Sequence, residues 1–314
     1  MGRYVIRRVL QAIPVLFGAT LLIFLIVFAL PGDPIAALAG DKRLDPNIAA
    51  VLREQYHLND PVIVQYGYYI GGLFHLDLGR TFGNVPVSQI LAGKFQVSFN
   101  LTMTALMMEA IVGVLLGLYA ALRRGKAADS MILATTLVLI AVPTLVTGFV
   151  LQWVLGVQLK QKTGIGFFPV AGTFTGWPHS YLLPGFVLAG LSIAFLTRLT
   201  RTSLVETLRA DYVRTAVAKG LKRRRVIGRH ALRNALIPLV TYLGTDLGTL
   251  MGGAVITETI FNLPGVGQQL YQSIYLREQP VVVGTVTVLV LIYIVANLIV
   301  DLLYAVLDPR IRYE

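Results

Sequence analysis

An all-α fold that crosses a membrane six times is predicted for this chain by its composition, by six apolar runs of spanning length, and by basic residues gathered between alternate runs. Of the 314 residues, 55% are hydrophobic and only 14% are charged. Soluble domains carry about a quarter of their residues as charges, so this balance belongs to the membrane class. A membrane β-barrel would instead show short segments of alternating hydrophobicity. A helix needs about 20 apolar residues to cross ~30 Å of hydrocarbon. The runs that meet this length, or nearly so, are 9–30, 97–122, 131–156, 181–197, 236–256 and 281–307.

The first run could be read as a signal peptide, because Arg3, Arg7 and Arg8 precede it and Ala37-Leu38-Ala39 imitates a cleavage box. It is longer than the roughly 7–15 residues of a secretory apolar region, so an uncleaved spanning helix is expected. Pro14 and Pro143 fall inside predicted spans, where neighbouring helices can satisfy the carbonyls that proline frees.

With the N-terminus placed inside, segments 1–8, 123–130, 198–235 and 308–314 hold 19 of the 27 Lys and Arg residues. The positive-inside rule then puts both termini in the cytoplasm. The net charge of +11 is mostly this asymmetry, favoured by anionic lipid headgroups. Nucleic acid is not an expected partner, since no aromatic residues interleave with the basic cluster as they do in single-strand binders. The expected organisation is a first helix with an extracytoplasmic segment (1–96), a transmembrane core with a cytoplasmic loop at 198–235 (97–307), and a cytoplasmic tail (308–314). Within 31–96, turn signals at Pro31-Gly32-Asp33-Pro34, Asp45-Pro46 and Asp60-Pro61 frame PNIAAVLREQYHL, which has the spacing of a short amphipathic helix. That region reads as an ordered cap or docking surface.

No catalytic constellation is present in the sequence. His57, His75, His179 and His230 stand singly, without an HExxH pair, and the chain has no cysteine; no metal site is expected. The G-x-S-x-G and GxxxxGK[ST] patterns are also missing. The chain is therefore not expected to hydrolyse nucleotide, and any ATP with its Mg would be held by another subunit. Three acids lie within spans: Glu109, Asp246 and Asp301. Each costs about 2.5–3.5 kcal/mol at a helix centre, so each should face protein or a cavity. A proton or cation path, a polar lining and a plain interhelical hydrogen bond all remain open. Gly244, Gly248 and Gly252, and also Gly113 and Gly117, recur at four-residue spacing. Such stripes let helices approach closely, within the bundle or against a second membrane subunit.

Between the fourth and fifth runs lies DYVRTAVAKGLKRRRVIGRHALRNALIP, residues 211–238, with a dense basic cluster and a single acid. Residues 205–219 are tolerable helix formers. Leu208, Tyr212, Ala216 and Gly220 share one face, and exposed alanines there would make a slim helix able to enter a groove on another protein. Gly220 permits a sharp exit.

DYVRTAVAKGL followed by HALRNALIP resembles the cytoplasmic-loop signature of permease subunits of binding-protein-dependent ABC importers, most closely the oligopeptide, dipeptide and nickel branch. The resemblance extends through RYVIRRVLQAIPVLF, LPGDP, LNDPVIVQYGYYIGGLFHLDLG, RLTRTSLVETL and ETIFNLPGVGQQLYQSI, nearly the whole chain. It implies a type I importer permease in a bacterial or archaeal inner membrane. The implied partners are a second homologous permease, two cytoplasmic ATPases that bind ATP and Mg, and an extracytoplasmic solute-binding protein. It also implies a coupling helix carried by Tyr212, Arg214, Thr215, Ala216, Ala218, Lys219 and Gly220. The wider family opens this motif with Glu-Ala-Ala, whereas here the matching residues are Arg214-Thr215-Ala216, so no role of that glutamate transfers. Glu258, Pro264, Gly265 and Gly267 fall in the segment resembling an outer gate, and Glu109 and Asp246 are candidates for the translocation pathway. Nickel complexes and glutathione-like solutes are family alternatives to peptide. A self-sufficient proton-driven transporter using Glu109 and Asp246 is the alternative outside the family.

Overall fold

The computed structural model of the protein describes residues 2–29, 35 and 45–307. The turn expected at 31–34, the tail at 308–314 and the side chain of Asp301 lie outside the described residues. Among the described residues there is no β-strand, only an isolated antiparallel bridge between Arg80 and Pro86.

Helix α1 (Gly2–Ala29) runs straight through Pro14. Two shorter helices follow, α2 (Pro46–Gln55) and α3 (Val62–Phe74). The first begins where the sequence signal places it: Asp45 caps it, accepting the Asn47 N–H at 2.8 Å, with proline in the first turn as helix starts favour. Helix α4 spans Val87–Leu122, starting ten residues before the apolar run, and contains a π-helical turn at Glu109–Gly113. Helices α5 (Ala127–Ala141) and α6 (Thr144–Thr163) meet at a 104° bend. The third predicted span is therefore a broken pair rather than one helix. Val142 takes an extended conformation (φ −88°, ψ 122°) ahead of Pro143, as a residue before proline prefers; here the proline was not absorbed by the helix.

Helix α7 (Leu182–Thr207) continues nearly three turns past its apolar run. A turn at 208–210 then separates it from α8 (Asp211–Ala218), so residues 205–219 are not one helix. Next come α9 (223–235), with a π-helical stretch at Val226–Leu232, then α10 (Ile237–Ile260), α11 (Val266–Tyr275) and α12 (Gln279–Leu307). Helices α1, α4, α7, α10 and α12 are each long and apolar enough to cross a membrane. The bent α5–α6 pair passes the same test only when its two halves are counted together, so the described residues hold five such helices, or six crossings if the pair is one broken span.

Burial identifies the axial helix. In α7, 67% of the most apolar window is buried, against 33% in α4, α10 and α12 and 11% in α1. Helices α4, α5, α6 and α10 all pack on α7, and Leu101, Val187, Ile193, Leu250 and Phe261 form the main core there. Helix α1 lies outside, held to α12 through Phe24, Val27, Val282 and Val283. The outward surface remains apolar, with Ile111, Leu115, Phe149 and Leu191 exposed. In water such a surface would be costly; it suits lipid or a neighbouring membrane chain.

The glycine stripes divide. A Cβ on Gly117 would lie 2.5 Å from the Thr197 carbonyl oxygen and from Thr200 Cβ, and one on Gly113 would press on Leu196, so both serve the close α4–α7 approach. In α10, a Cβ on Gly248 would lie 2.5 Å from the Tyr293 ring of α12. Gly244 is half-buried and Gly252 faces open space. Gly248 thus serves a close helix contact inside the chain, while Gly252 does not. Because backbone opposes Gly117, Gly117→Leu is expected to cost about 1–3 kcal/mol of stability through overpacking. Thermal unfolding in detergent reads this directly, and an unchanged transition would refute it.

Candidate coupling and gating sites

The basic loop folds into a compact end-piece. Helix α8 lies against α9, burying Val213 and Ala216 with Leu204, Val226, Ala231 and Ala235. This corrects the expectation that Ala216 presents an exposed small surface: it is 5% exposed and is small because α9 lies directly beneath it. The outward face of α8 carries Tyr212, Arg214, Thr215, Val217, Ala218 and Lys219 instead. Val217, 59% exposed, is the apolar tip of that face. The Tyr212 hydroxyl accepts from Asn234 Nδ2 at 2.9 Å, which ties the outer face of α8 to α9. Gly220 ends the segment at φ +75°, the left-handed conformation that glycine adopts without a steric penalty.

A half-buried clasp stands at the same end of the bundle. Arg201 on α7 donates from Nε to Asp129 Oδ1 at 2.6 Å and from Nη2 to Oδ2 at 2.7 Å. Asp129, in the first turn of α5, is buried and also accepts the Gly125 N–H at 3.0 Å. A two-pronged guanidinium–carboxylate pair of this kind is strong and directional. It joins the α4–α5 turn to the helix that leads into α8. Sequence reading counted both residues only as charges; their partnership has no local signature.

At the opposite end, the chain after α10 folds back on itself. Glu258, in the last turn of α10, is fully buried. Its Oε1 accepts from Ser98 Oγ at 2.5 Å and its Oε2 from the Gln268 backbone N–H at 2.9 Å. Ser98 in turn accepts the Val266 N–H at 2.8 Å. A carboxylate thus occupies the N-terminal end of α11, where free backbone N–H groups favour negative charge. The glycines of the motif have a direct reason to be there. A Cβ on Gly265 would collide with the Glu258 carboxyl group, and one on Gly267 would lie 2.6 Å from Val255 Cα. Pro264 sits between Leu263 and Gly265 in this turn. The Gln268 side chain donates to Asn262 Oδ1 at 2.6 Å, bracing the turn from within. Over it lies the 164–178 segment: Gly172 donates its N–H to the Phe261 carbonyl at 2.9 Å, and Gln152 Nε2 bridges the Val170 and Ile260 carbonyls at 2.8 and 3.0 Å. Ser98 and Gln152 were not singled out from sequence, since a lone serine or glutamine in an apolar run carries no spacing signal.

Glu109 and Asp246 are both buried in the core between these two ends. The structure brings them together, and neither takes part in the clasp or the folded-back turn.

A model of the family described as binding-protein-dependent transport system inner membrane component matches residues 113–313, and a model of the N-terminal part of such membrane components matches residues 1–112. A putative peptide transport system permease protein of Brucella abortus strain 2308 is 37% identical over 315 residues, covering 100% of both chains. A dipeptide transport system permease protein of Escherichia coli K12 is 37% identical over 338 residues, and an oligopeptide transport system permease protein of Bacillus subtilis 168 is 36% identical over 327, again with full coverage of both chains.

Proposed function

We propose the following on the premise that the chain belongs to the family of binding-protein-dependent transport system inner membrane components, a membership fixed by matches over nearly its whole length: it is the half of an ATP-driven importer's pathway that carries peptides, and α8 is its contact with a separate ATPase. The peptide assignment is supported by full-length relatives named as peptide, dipeptide and oligopeptide permeases. Both termini are cytoplasmic in this reading, which places the basic end with α8 and α9 inside the cell. A second, related permease completes the pathway and two ATPase subunits bind ATP and Mg. A solute-binding protein docks at the outer end, where α2 has no buried residue and leaves Ile48 and Val51 exposed.

The single observation carrying the coupling role is the two-sided character of α8. Its inner face is fixed to α9, while its outer face leaves Val217 and Ala218 uncovered at the end of the molecule. A short helix so held moves with its base and presents a small apolar tip to a groove. The folded-back turn around Glu258 is the outer gate in this reading.

The test uses the tagged full chain purified from its native membranes in mild detergent. Recovery of a second permease and an ATPase is expected. Ala218→Glu should lower ATPase recovery and peptide uptake about tenfold or more, since an unpaired charge in a groove costs at least ~1.4 kcal/mol. Ala216→Glu is the wrong probe, because it would disrupt α8 itself. Normal uptake by Ala218→Glu with the ATPase still attached would sink the coupling assignment. Uptake by the isolated chain along a proton gradient would point to a proton-driven transporter.

A further inference from the structure

Two buried acids have no role in the sites above. Glu109 opens the π-helical turn of α4 and is fully buried; Asp246 lies midway along α10 and is 7% exposed. They are neighbours close enough to hydrogen-bond each other. Neither Glu109 oxygen, nor Asp246 Oδ2, meets an N–H or O–H donor among the described residues. Tyr242, one turn before Asp246, is the other titratable group beside them, and its hydroxyl is engaged with Ser192 of α7. Helices α4, α7 and α10 therefore converge on two carboxyl groups with three orphaned oxygens.

Two facing carboxylates in a low-dielectric interior repel each other, and neither would have its lone pairs satisfied. A hard cation would require about six or more oxygen ligands, and no grouping of three or more His, Cys, Asp or Glu suited to a metal occurs among the described residues. One proton suffices: it turns one carboxyl into an O–H donor and the other into its acceptor. We propose that Glu109 and Asp246 form a site for a single shared proton, with Glu109 as the protonated donor and Asp246 as the acceptor. The pair then carries one negative charge, borne by Asp246, the member that retains slight exposure. It joins α4 to α10 at the point where both meet α7, so a movement that parts these helices must also rehouse the proton. This assignment is independent of substrate and of ATPase.

Infrared spectroscopy of the purified full-length protein at neutral pH tests it. The wild type should show the C=O stretch of a protonated carboxyl group, and the band should move when glutamate carries a ¹³C side-chain carboxyl. It should vanish in Glu109→Gln and shift in Asp246→Asn. If Glu109→Gln fails to fold, the labelled wild type together with Asp246→Asn still decides. Absence of the band in the wild type would overturn the proposal, as would a band unchanged in both variants. A band that emerges only when sodium is withdrawn would identify a cation as the occupant and overturn it equally.

Discussion

Glu258→Ala is expected to remove about 3–5 kcal/mol of stability, enough to abolish recovery of a folded, monodisperse protein from detergent. The carboxylate accepts from the Ser98 hydroxyl and the Gln268 N–H, and all three groups are buried. Each buried donor left without an acceptor costs about 1–3 kcal/mol, and the cavity adds to the loss. Glu258→Gln keeps one carbonyl acceptor but turns an NH2 group toward a donor, so a smaller loss of about 1–3 kcal/mol is expected. Thermal unfolding of the variants should rank alanine below glutamine and both below the wild type. If Glu258→Ala unfolded at the wild-type temperature, the turn would be held by apolar packing alone. Transport by a folded Glu258→Gln protein would then test the proposed gating role of the turn separately from its contribution to stability.

The second large effect is expected at the clasp. Asp129→Leu leaves the Arg201 guanidinium without its carboxylate, and Arg201→Leu leaves a buried carboxylate with only the Gly125 N–H. Arg201→Leu strands a buried carboxylate and should cost about 3–5 kcal/mol, whereas Asp129→Leu leaves a partly exposed guanidinium that water can still reach and should cost less. Replacing both partners removes the uncompensated charge, so the double variant should be no worse than either single one. A double-mutant cycle in thermal unfolding should therefore give a coupling of at least ~2 kcal/mol, well above the few tenths expected of unconnected sites. Additive losses would show the two residues to be independent.

Much of the architecture was legible because the length of an apolar run is a one-dimensional property. Five of the six apolar runs fall in single helices of spanning length and the third in the bent α5–α6 pair, and α2 stands where the helical spacing after the Asp45-Pro46 turn signal predicts. What could not be read are features set by partners distant in sequence. Pro14 and Pro143 carry the same local signal, yet α1 continues through the first and the chain turns by 104° at the second. Ala216 was assigned to the exposed face of α8 for a similar reason, although its neighbours Tyr212 and Gly220 are exposed as expected. Small residues at Ala216 and Ala218 invite the same reading, and only α9, folded beneath Ala216, distinguishes the packed alanine from the exposed one. Glu258 was marked by its motif, but Ser98, 160 positions away, had to be brought to it by the packing of α4 against α10. The glycine stripe of α4 was legible as a point of close approach, whereas Gly265 was legible only as part of its motif and not as the place where the Glu258 carboxyl group approaches the backbone.

The π-helical turn at Glu109–Gly113 settles a problem of angular arithmetic in α4. Leu101, Ala105, Glu109, Gly113, Gly117 and Ala121 are all buried, one every fourth residue. In a regular helix a step of four residues overshoots a full turn by about 40°, so five such steps would carry the stripe roughly 200° around and leave its end facing lipid. The wider turn takes up a surplus residue and resets the phase midway. One straight neighbour, α7, can then be followed from Leu101 to Ala121 by a sequence whose period is four rather than 3.6. Glu109 stands at the splice, so the single acid of the helix and its change of phase are one and the same position.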